Sequence, residues 1–163
     1  MRDKAAAQFV TRAGTIADIS DLQQMCIETI QQVCKNDYNE EQLNVWASGI
    51  ESKERWNLIF ENQFVLVAVS GDKKVGFATL DDGKYIDMFY VHRHFQRLGL
   101  ASLLYSSLEK EAFLQGTTKI TANVSRTARP FFERQGFSVE QEQNFELNGV
   151  KISNFKMSKM ISK

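Results

Sequence analysis

The sequence predicts an α/β (α+β) domain with a mixed, mostly antiparallel central sheet and helices on both faces. In two long segments, near residues 16–33 and 100–108, apolar residues recur at steps of three and four, as on one face of a helix. Between these segments lie short runs that are apolar at both parities, as in strands covered on both faces. Short turn sequences join the runs, which indicates antiparallel neighbours.

Size and composition narrow the function classes. The chain has 163 residues, and we expect residues 1–163 to form a single domain. Twenty Lys and Arg balance twenty Asp and Glu, so net charge gives no reason to expect a nucleic-acid or membrane partner. The chain has two cysteines and two histidines, and we expect no structural zinc site and no metal. Because no stretch resembles a signal peptide or a membrane span, we expect a cytoplasmic protein.

The first third of the chain alternates a short strand with helices. Residues 9–12 are predicted to form a strand, and Thr15 with Asp18 has the form of a helix capping box. Apolar residues with helical spacing follow as far as Val33. Two shorter helices are predicted at residues 39–46 and 53–60.

The middle of the chain predicts a three-stranded meander. Its strands are expected at residues 64–69, 75–80 and 85–91. The turn sequences at residues 70–73 and 81–83 are short and rich in Gly and Asp, which favours hairpin connections.

The last third predicts a helix, a strand, a short helix and a hairpin. A leucine-rich helix begins near residue 100, a strand covers residues 119–124, and a helix at residues 125–135 ends at Gly136. Strands at residues 137–147 and 150–161 pair around Asn148-Gly149, a strong two-residue turn signal. The apolar parity shifts between Ile152 and Phe155, which predicts a bulge in the last strand.

The segment from residue 90 to residue 102 carries the chemistry. Here a strand ends, a polar loop follows, and the leucine-rich helix begins at Gly99. The first amides of a helix have no partner within it and lie at the positive end of the helix dipole, so they form an anion site. Gly99 has no side chain to block a phosphate, while Arg97 and Gln96 add donors.

Two motifs in the chain resemble one family. Residues 96–101, Gln-Arg-Leu-Gly-Leu-Ala, match the Q/R-x-x-G-x-G/A signature that binds the acetyl-CoA pyrophosphate in GNAT N-acetyltransferases, and Val91 stands at the family's V-x-P strand end. Residues 128–137, Ala-Arg-Pro-Phe-Phe-Glu-Arg-Gln-Gly-Phe, resemble the family's A-x-x-F-Y-E-K-x-G-F segment. The predicted order of elements is also similar to that of the GNAT fold, so the resemblance covers nearly the whole chain.

The resemblance implies a fold and a reaction. The fold would be a sheet of about seven strands, splayed in the middle and flanked by about four helices. The reaction would be direct attack of a primary amine on acetyl-CoA in a ternary complex, in a monomer or homodimer, with the acceptor amine unidentified. Two alternatives stay open: a non-catalytic acyl-CoA sensor or interaction module, and a transferase using another acyl-CoA donor.

The resemblance also implies which residues bind the cofactor. Two of them depart from the family pattern: Phe132 stands where many members carry a proton-donating Tyr, and Ser125 stands where many carry Asn. The proton donor to the leaving thiolate is therefore open. The implied cofactor-binding residues are Phe89, Tyr90, Val91, Gln96, Arg97, Leu98, Gly99, Leu100, Ala101, Ser102, Ser125 and Phe132.

The candidate catalytic residues are Asp87 and Tyr85, both on the third strand of the meander. Strict alternation would place them on one face together with Phe89 and Val91. Asp87 is a carboxylate in an apolar strand, which is costly unless it is paired, exposed in a cleft or shifted in pKa. It is either a base or amine anchor, or an edge-exposed or backbone-bonded carboxylate.

Overall fold

The computed structural model describes residues 9–161, which form one seven-stranded sheet in the order β1-β2-β3-β4-β5-β7-β6. The strands are β1 Val10–Ala13, β2 Phe64–Ser70, β3 Lys73–Asp81, β4 Tyr85–Val91, β5 Lys119–Val124, β6 Ser138–Leu147 and β7 Val150–Met160. The helices are α1 Ile19–Val33, α2 Glu40–Gly49, α3 Lys53–Asn62, α4 Leu100–Leu114 and α5 Arg129–Arg134, with 3-10 turns at Ile16–Asp18 and Arg93–Phe95.

The pairing directions confirm the predicted fold class. Strands β1 to β4 pair antiparallel in sequence order, as do β5 with β7 and β7 with β6. Only β4 and β5 pair in parallel. Four helices have ten residues or more, and α5 has six. The sheet is therefore mixed and mostly antiparallel, with about four main helices around it.

Local signals place the helix starts. The Asp18 carboxylate accepts from the Thr15 amide at 2.8 Å, which is one half of the predicted capping box. A complete box precedes α2, because Asn39 and Gln42 each accept from the other's amide, at 2.8 and 2.9 Å. The Ser52 hydroxyl accepts from the Arg55 amide and caps α3. Helix α5 begins at Arg129, later than the predicted residue 125.

Two apolar cores lie on opposite faces of the sheet. One is packed by α4 and α5 and the other by α1, α2 and α3. In β3 every residue from Val75 to Leu80 is buried, as expected for a strand covered on both faces. Among residues 9–161, no helix is long and apolar enough to cross a bilayer.

The predicted bulge in the last strand is wrong. The register shift lies in β6, between Val139 and Gln141, and not in β7. The apolar parity changes in β7 because its two ends face different cores: Ile152 packs under α2, whereas Phe155 packs against α4 and α5. The hairpin itself is as predicted, with φ of 49° at Asn148 and 82° at Gly149.

Candidate active site

The sheet opens between β4 and β5. These strands pair only through Tyr85 with Thr121 and Ile86 with Ala122. Beyond that point β4 continues to Val91 beside β3, while β5 continues beside β7. Main-chain groups of β4 that would bond a parallel neighbour therefore face a gap, which is the splay that the sequence resemblance implied.

A bulge in β4 lies beside this gap. Leu80 pairs with Ile86 and Ala78 with Phe89, so Asp87 and Met88 together stand opposite Thr79. The hydroxyl of Thr79, which is completely buried, accepts from the Met88 amide at 3.1 Å. The bulge therefore has its own buried hydrogen bond.

The bulge corrects the predicted alternation in β4. Asp87 contacts α3, and Met88 packs in the same core, so both side chains lie on the α1–α3 face. Phe89 and Val91 pack on the opposite face, against the α4–α5 core. The prediction that Asp87 shares a face with Phe89 and Val91 is wrong, because one extra residue in a strand inverts the parity after it.

The loop from β4 to α4 presents main-chain amides. Arg97 and Gly99 both have left-handed backbones, with φ of 62° and 85°. The amide of Leu103 is bonded to the Gly99 carbonyl at 3.1 Å, and the three helical amides before it have no carbonyl four residues earlier within the helix. A Cβ built on Gly99 would meet no atom within 4 Å, so the space before these amides is open.

Gln96, a predicted cofactor-binding residue, is bonded within the protein. Its side-chain amide donates to the Val91 carbonyl at 2.7 Å, so it ties the loop back to the end of β4. His92, at the start of the loop, is buried, and its Nδ1 accepts from the His94 amide at 3.1 Å. Burial lowers the pKa of His92, which favours the neutral ring that this hydrogen bond requires. Both side chains shape the loop.

Asp87 is held by two side chains from α3 and its end. Arg55 donates to one carboxylate oxygen at 3.2 Å, and Gln63 donates to the other at 2.8 Å. The Asp87 side chain is 17% exposed and the Arg55 side chain 44%. Neither Arg55 nor Gln63 was predicted from the sequence. Arg55 is 32 residues and Gln63 is 24 residues before Asp87, and no local sequence pattern indicates a contact between residues so far apart.

Tyr85, the other candidate, lies at the closed end of the gap. Its hydroxyl accepts from the Asn123 side chain of β5 at 3.1 Å. Burial raises the pKa of Tyr85, and the negative charge of Asp87 raises it further. Tyr85 therefore keeps its proton at neutral pH.

The two residues that depart from the family pattern lie around α5. Phe132 is 3% exposed and packs edge-on to Phe89 and Phe137, at 5.6 and 5.1 Å between ring centroids. The Ser125 hydroxyl accepts from the Ala128 amide at 3.1 Å and fixes the turn before α5. Phe132 borders β4 and carries no exchangeable proton.

The remaining aromatic and sulfur side chains in this region have structural roles. Cys26 and Cys34 are buried, and burial raises the pKa of Cys34 to about 11, so its thiol stays protonated and inert. Trp56 is 1% exposed and stacks on Phe77. Tyr38 donates to the Ser153 carbonyl at 2.8 Å and accepts from the Arg126 amide at 2.9 Å, which joins the α1–α2 loop to β7 and to the turn after β5.

Comparisons with known proteins agree on one family. The family model of the acetyltransferase (GNAT) domain matches residues 34–159. The uncharacterized N-acetyltransferase YafP of Escherichia coli (strain K12) is 34% identical over 140 residues, which cover 84% of this chain and 88% of that protein.

Solved structures share the fold. The GCN5-related N-acetyltransferase (aminotransferase, class II) from Rhodopseudomonas palustris superposes with a TM-score of 0.89 and 29% identity, covering 93% of this chain and 95% of that one. The PaiA N-acetyltransferase from Thermoplasma acidophilum, solved in complex with coenzyme A, gives a TM-score of 0.77 at 19% identity, covering 94% and 99%.

Proposed function

The chain belongs to the GNAT acetyltransferase family and is an acyltransferase, and we propose that it transfers the acetyl group of acetyl-CoA to a primary amine. The amine attacks the thioester directly in a ternary complex, with residues 1–163 acting as one domain. The observation that carries this proposal is the gap between β4 and β5, which opens beside the free amides at the start of α4. Holding both substrates there supplies much of the acceleration.

The cofactor's diphosphate lies on the start of α4. Main-chain amides of residues 97–102 donate to it, and Leu98, Leu100, Ala101 and Ser102 bind through their backbones. The first turn of α4 carries no acidic residue that would repel an anion. Gln96 contributes indirectly, through its bond to the Val91 carbonyl.

The pantetheine arm lies in the gap. It pairs with main-chain groups of Phe89, Tyr90 and Val91, which have no β5 partner. Ser125 and Phe132 border the arm from the β5 side. An unpaired β4 amide next to the bulge donates to the acetyl carbonyl, which stabilises the oxyanion as the amine attacks.

Asp87 anchors the attacking amine. Its carboxylate attracts the substrate ammonium on the α1–α3 side of the gap. Arg55 and Gln63 each donate to one oxygen and fix the carboxylate in place, so the geometry favours an anchor over a base. Water takes the proton of the ammonium before attack.

Tyr85 supplies the proton for the leaving group. As the nitrogen–carbon bond forms and the carbon–sulfur bond breaks, the CoA thiolate takes the Tyr85 proton. The extra proton of the attacking nitrogen then passes to the phenolate, directly or through water, which leaves a neutral amide and restores Tyr85. The raised pKa of Tyr85 keeps this proton in place until then. Tyr85 therefore acts as the proton donor, which Phe132 cannot do because it has no exchangeable proton.

Gly99→Glu tests the cofactor site. The new side chain places bulk and negative charge where the diphosphate lies, so the affinity for acetyl-CoA in calorimetry should fall at least about 100-fold, or about 2.7 kcal/mol. The matched control is Gly116→Glu, after the other end of α4. Gly116 has a φ of 84° against 85° at Gly99, and a Cβ on either glycine would meet no atom within 4 Å. Equal affinities in the two variants would refute the assignment.

A non-catalytic acyl-CoA sensor is the second candidate, because the buried Phe132 has no proton to give. Thiol release from acetyl-CoA, measured over a broad panel of primary amines, separates the two. Amine-dependent release supports the transferase. Tight acetyl-CoA binding without release from any amine supports the sensor. Repeating the assay with succinyl-CoA and longer acyl-CoA donors identifies the acyl group.

A further inference from the structure

An open groove of about 650 Å³ lies on β5, β6 and β7, on the sheet face turned away from α4. Helix α2 covers only the first part of β7 on this face, where Gln42 donates to the Lys151 carbonyl at 2.9 Å. The groove begins beyond that cover. Its lining residues are Asn123, Gln141, Glu142, Gln143, Asn144, Phe145 and Asn154.

Carboxamides dominate the lining. Five of the seven residues are Asn or Gln, one is a carboxylate, Glu142, and one is an aromatic, Phe145. A carboxamide offers two donors and an acceptor without a net charge. This lining therefore matches a ligand with many neutral hydrogen-bonding groups, and Phe145, which is 38% exposed, offers one apolar surface.

The carboxamides are fixed by one another. The side-chain nitrogen of Gln143 donates to Asn154 at 2.8 Å and to Asn123 at 3.2 Å. Asn123 in turn donates to the Tyr85 hydroxyl at 3.1 Å. The polar lining therefore runs without a break from β6 to the residue that we propose as proton donor.

Part of this network is free to bind. Within residues 9–161, no side chain or amide donates to the Gln143 oxygen, and none accepts from the Asn154 nitrogen. These groups keep a fixed orientation because their other halves are bonded. A hydroxyl can donate to the first and accept from the second.

Charge excludes other ligand classes. The seven lining residues include no cation, so a phosphate or carboxylate on the ligand finds no partner. Lys156, which lies opposite Asn123 on β7, is 3.7 Å from Glu140, and Arg55 is paired with Asp87. Of the seven lining residues only Glu142 is a carboxylate, so a polyamine with several ammonium groups finds one partner there.

We propose that the acetyl acceptor is a neutral, hydroxyl-rich monoamine of the amino-sugar class, bound in this groove. Its hydroxyls bond the carboxamides of Asn123, Gln143 and Asn154, its C–H face packs on Phe145, and its amine reaches the gap beside Tyr85 and Asp87. This inference rests on the proposed function, because only an acetyltransferase needs an acceptor there.

The first test measures binding without chemistry. Spectra of ¹⁵N-labelled protein follow the side-chain NH₂ signals of Asn123, Gln143 and Asn154 during titration with D-glucosamine, with and without CoA. We expect saturable shifts of these signals. Spermidine and an Ala-Ala-amide peptide should move them weakly. Absence of shifts with D-glucosamine, or larger saturable shifts with either competitor, would overturn the proposal.

The second test measures turnover. Gln143→Leu and Phe145→Ala should each lower kcat/KM for D-glucosamine roughly tenfold, with the KM for acetyl-CoA unchanged. The matched control is Gln115→Leu, at the far end of α4, where the side chain donates to Glu111. Unchanged kcat/KM in both groove variants would refute the groove as the acceptor site.

The two tests separate this inference from the proposed function. Saturable shifts with no thiol release from any amine would support the groove as a binding site and refute the proposed transferase activity. Thiol release with other amines, but none with D-glucosamine, would support the transferase activity and refute the amino-sugar acceptor.

Discussion

The two halves of the sheet, on either side of the gap between β4 and β5, are built differently. Strands β2 and β3 are covered on both faces and largely buried, whereas β6 has no buried residue. The covered half, β1 to β4, contains the bulge in β4. The open half, β5 to β7, exposes polar side chains on the face that the helices do not cover. We infer that acetyl-CoA and the acceptor meet where the covering helices end.

The two halves also differ in what they offer a ligand. The start of α4 offers main-chain amides, whose direction is set by the helix. The groove on β5, β6 and β7 offers side chains, whose direction is set by their hydrogen bonds to one another. The halves touch through Tyr85, which pairs with β5 and accepts from Asn123.

Tyr85→Phe removes the hydroxyl at this junction and has the largest expected effect. We expect kcat to fall about 100-fold, since a positioned general acid contributes at least that much. The Kd for acetyl-CoA should stay the same, because the proposed cofactor contacts lie at the start of α4 and along β4. Single-turnover thiol release and calorimetry measure the two quantities.

Tyr105→Phe is the control for that prediction. Tyr105 is more deeply buried than the half-buried Tyr85, at 2% exposed, and its hydroxyl donates to Glu109 at 2.6 Å on the α4 side. Its loss should leave kcat within about twofold of the parent, a difference of under 0.5 kcal/mol in activation free energy. If both variants lost activity equally, Tyr85 would be a packing residue.

Thr79→Val tests whether the hydroxyl of Thr79, in the covered half, stabilises the bulge in β4. The change leaves the buried Met88 amide without its acceptor, so the free energy of unfolding should fall by about 2 kcal/mol. Thr121→Val makes the same change on β5, where the side chain is half-buried, and should cost little. Urea denaturation measures both. Equal costs would show that the Thr79 hydroxyl does not stabilise the bulge.

The sequence predicted local structure where the residues concerned are adjacent in the chain, and it failed where they are distant. The start of α4 could be predicted because the loop, Gly99 and the helix follow one another in the chain. The bulge in β4 could not, since it depends on the register with β3 and leaves no local mark. The same holds for Arg55 beside Asp87, which required the packing of α3 on the sheet.

The groove on β5, β6 and β7 could not be predicted from the sequence for the same reason. Asn123, Gln143 and Asn154 come from three strands, and only the order β5-β7-β6 brings them together. Hydrophobic periodicity reports which residues are covered, and an uncovered polar face looks like any solvent-exposed surface. For the same reason the parity change in β7 suggested a bulge in the wrong strand.

The smallest expected effect compares two carboxylates with similar pKa values, one in each half. The Arg12 guanidinium bonds both oxygens of Asp18, at 2.8 and 2.9 Å, and lowers its pKa from 3.8 to about 2. Hydrogen bonds from Ser158 and Lys119 lower the pKa of Glu140 in the open half to about 2 as well. The Asp18 side chain is 5% exposed and that of Glu140 29% exposed.

We expect Asp18→Asn to lower the free energy of unfolding at pH 7 by about 1 kcal/mol, allowing for the exposure of Arg12, and Glu140→Gln to have less effect. Because the folded pKa of Asp18 lies below its ordinary value, its stabilisation is complete above about pH 4 and is lost as the pH falls toward 2. Urea denaturation at pH 7 and pH 2.5 should show the difference between the parent and Asp18→Asn shrinking at the lower pH. At pH 7 in 1 M salt, the Glu140→Gln difference should vanish and most of the Asp18→Asn difference should persist, because water and ions screen the exposed pair more strongly. A larger loss for Glu140→Gln at pH 7 would mean that burial does not separate the two halves.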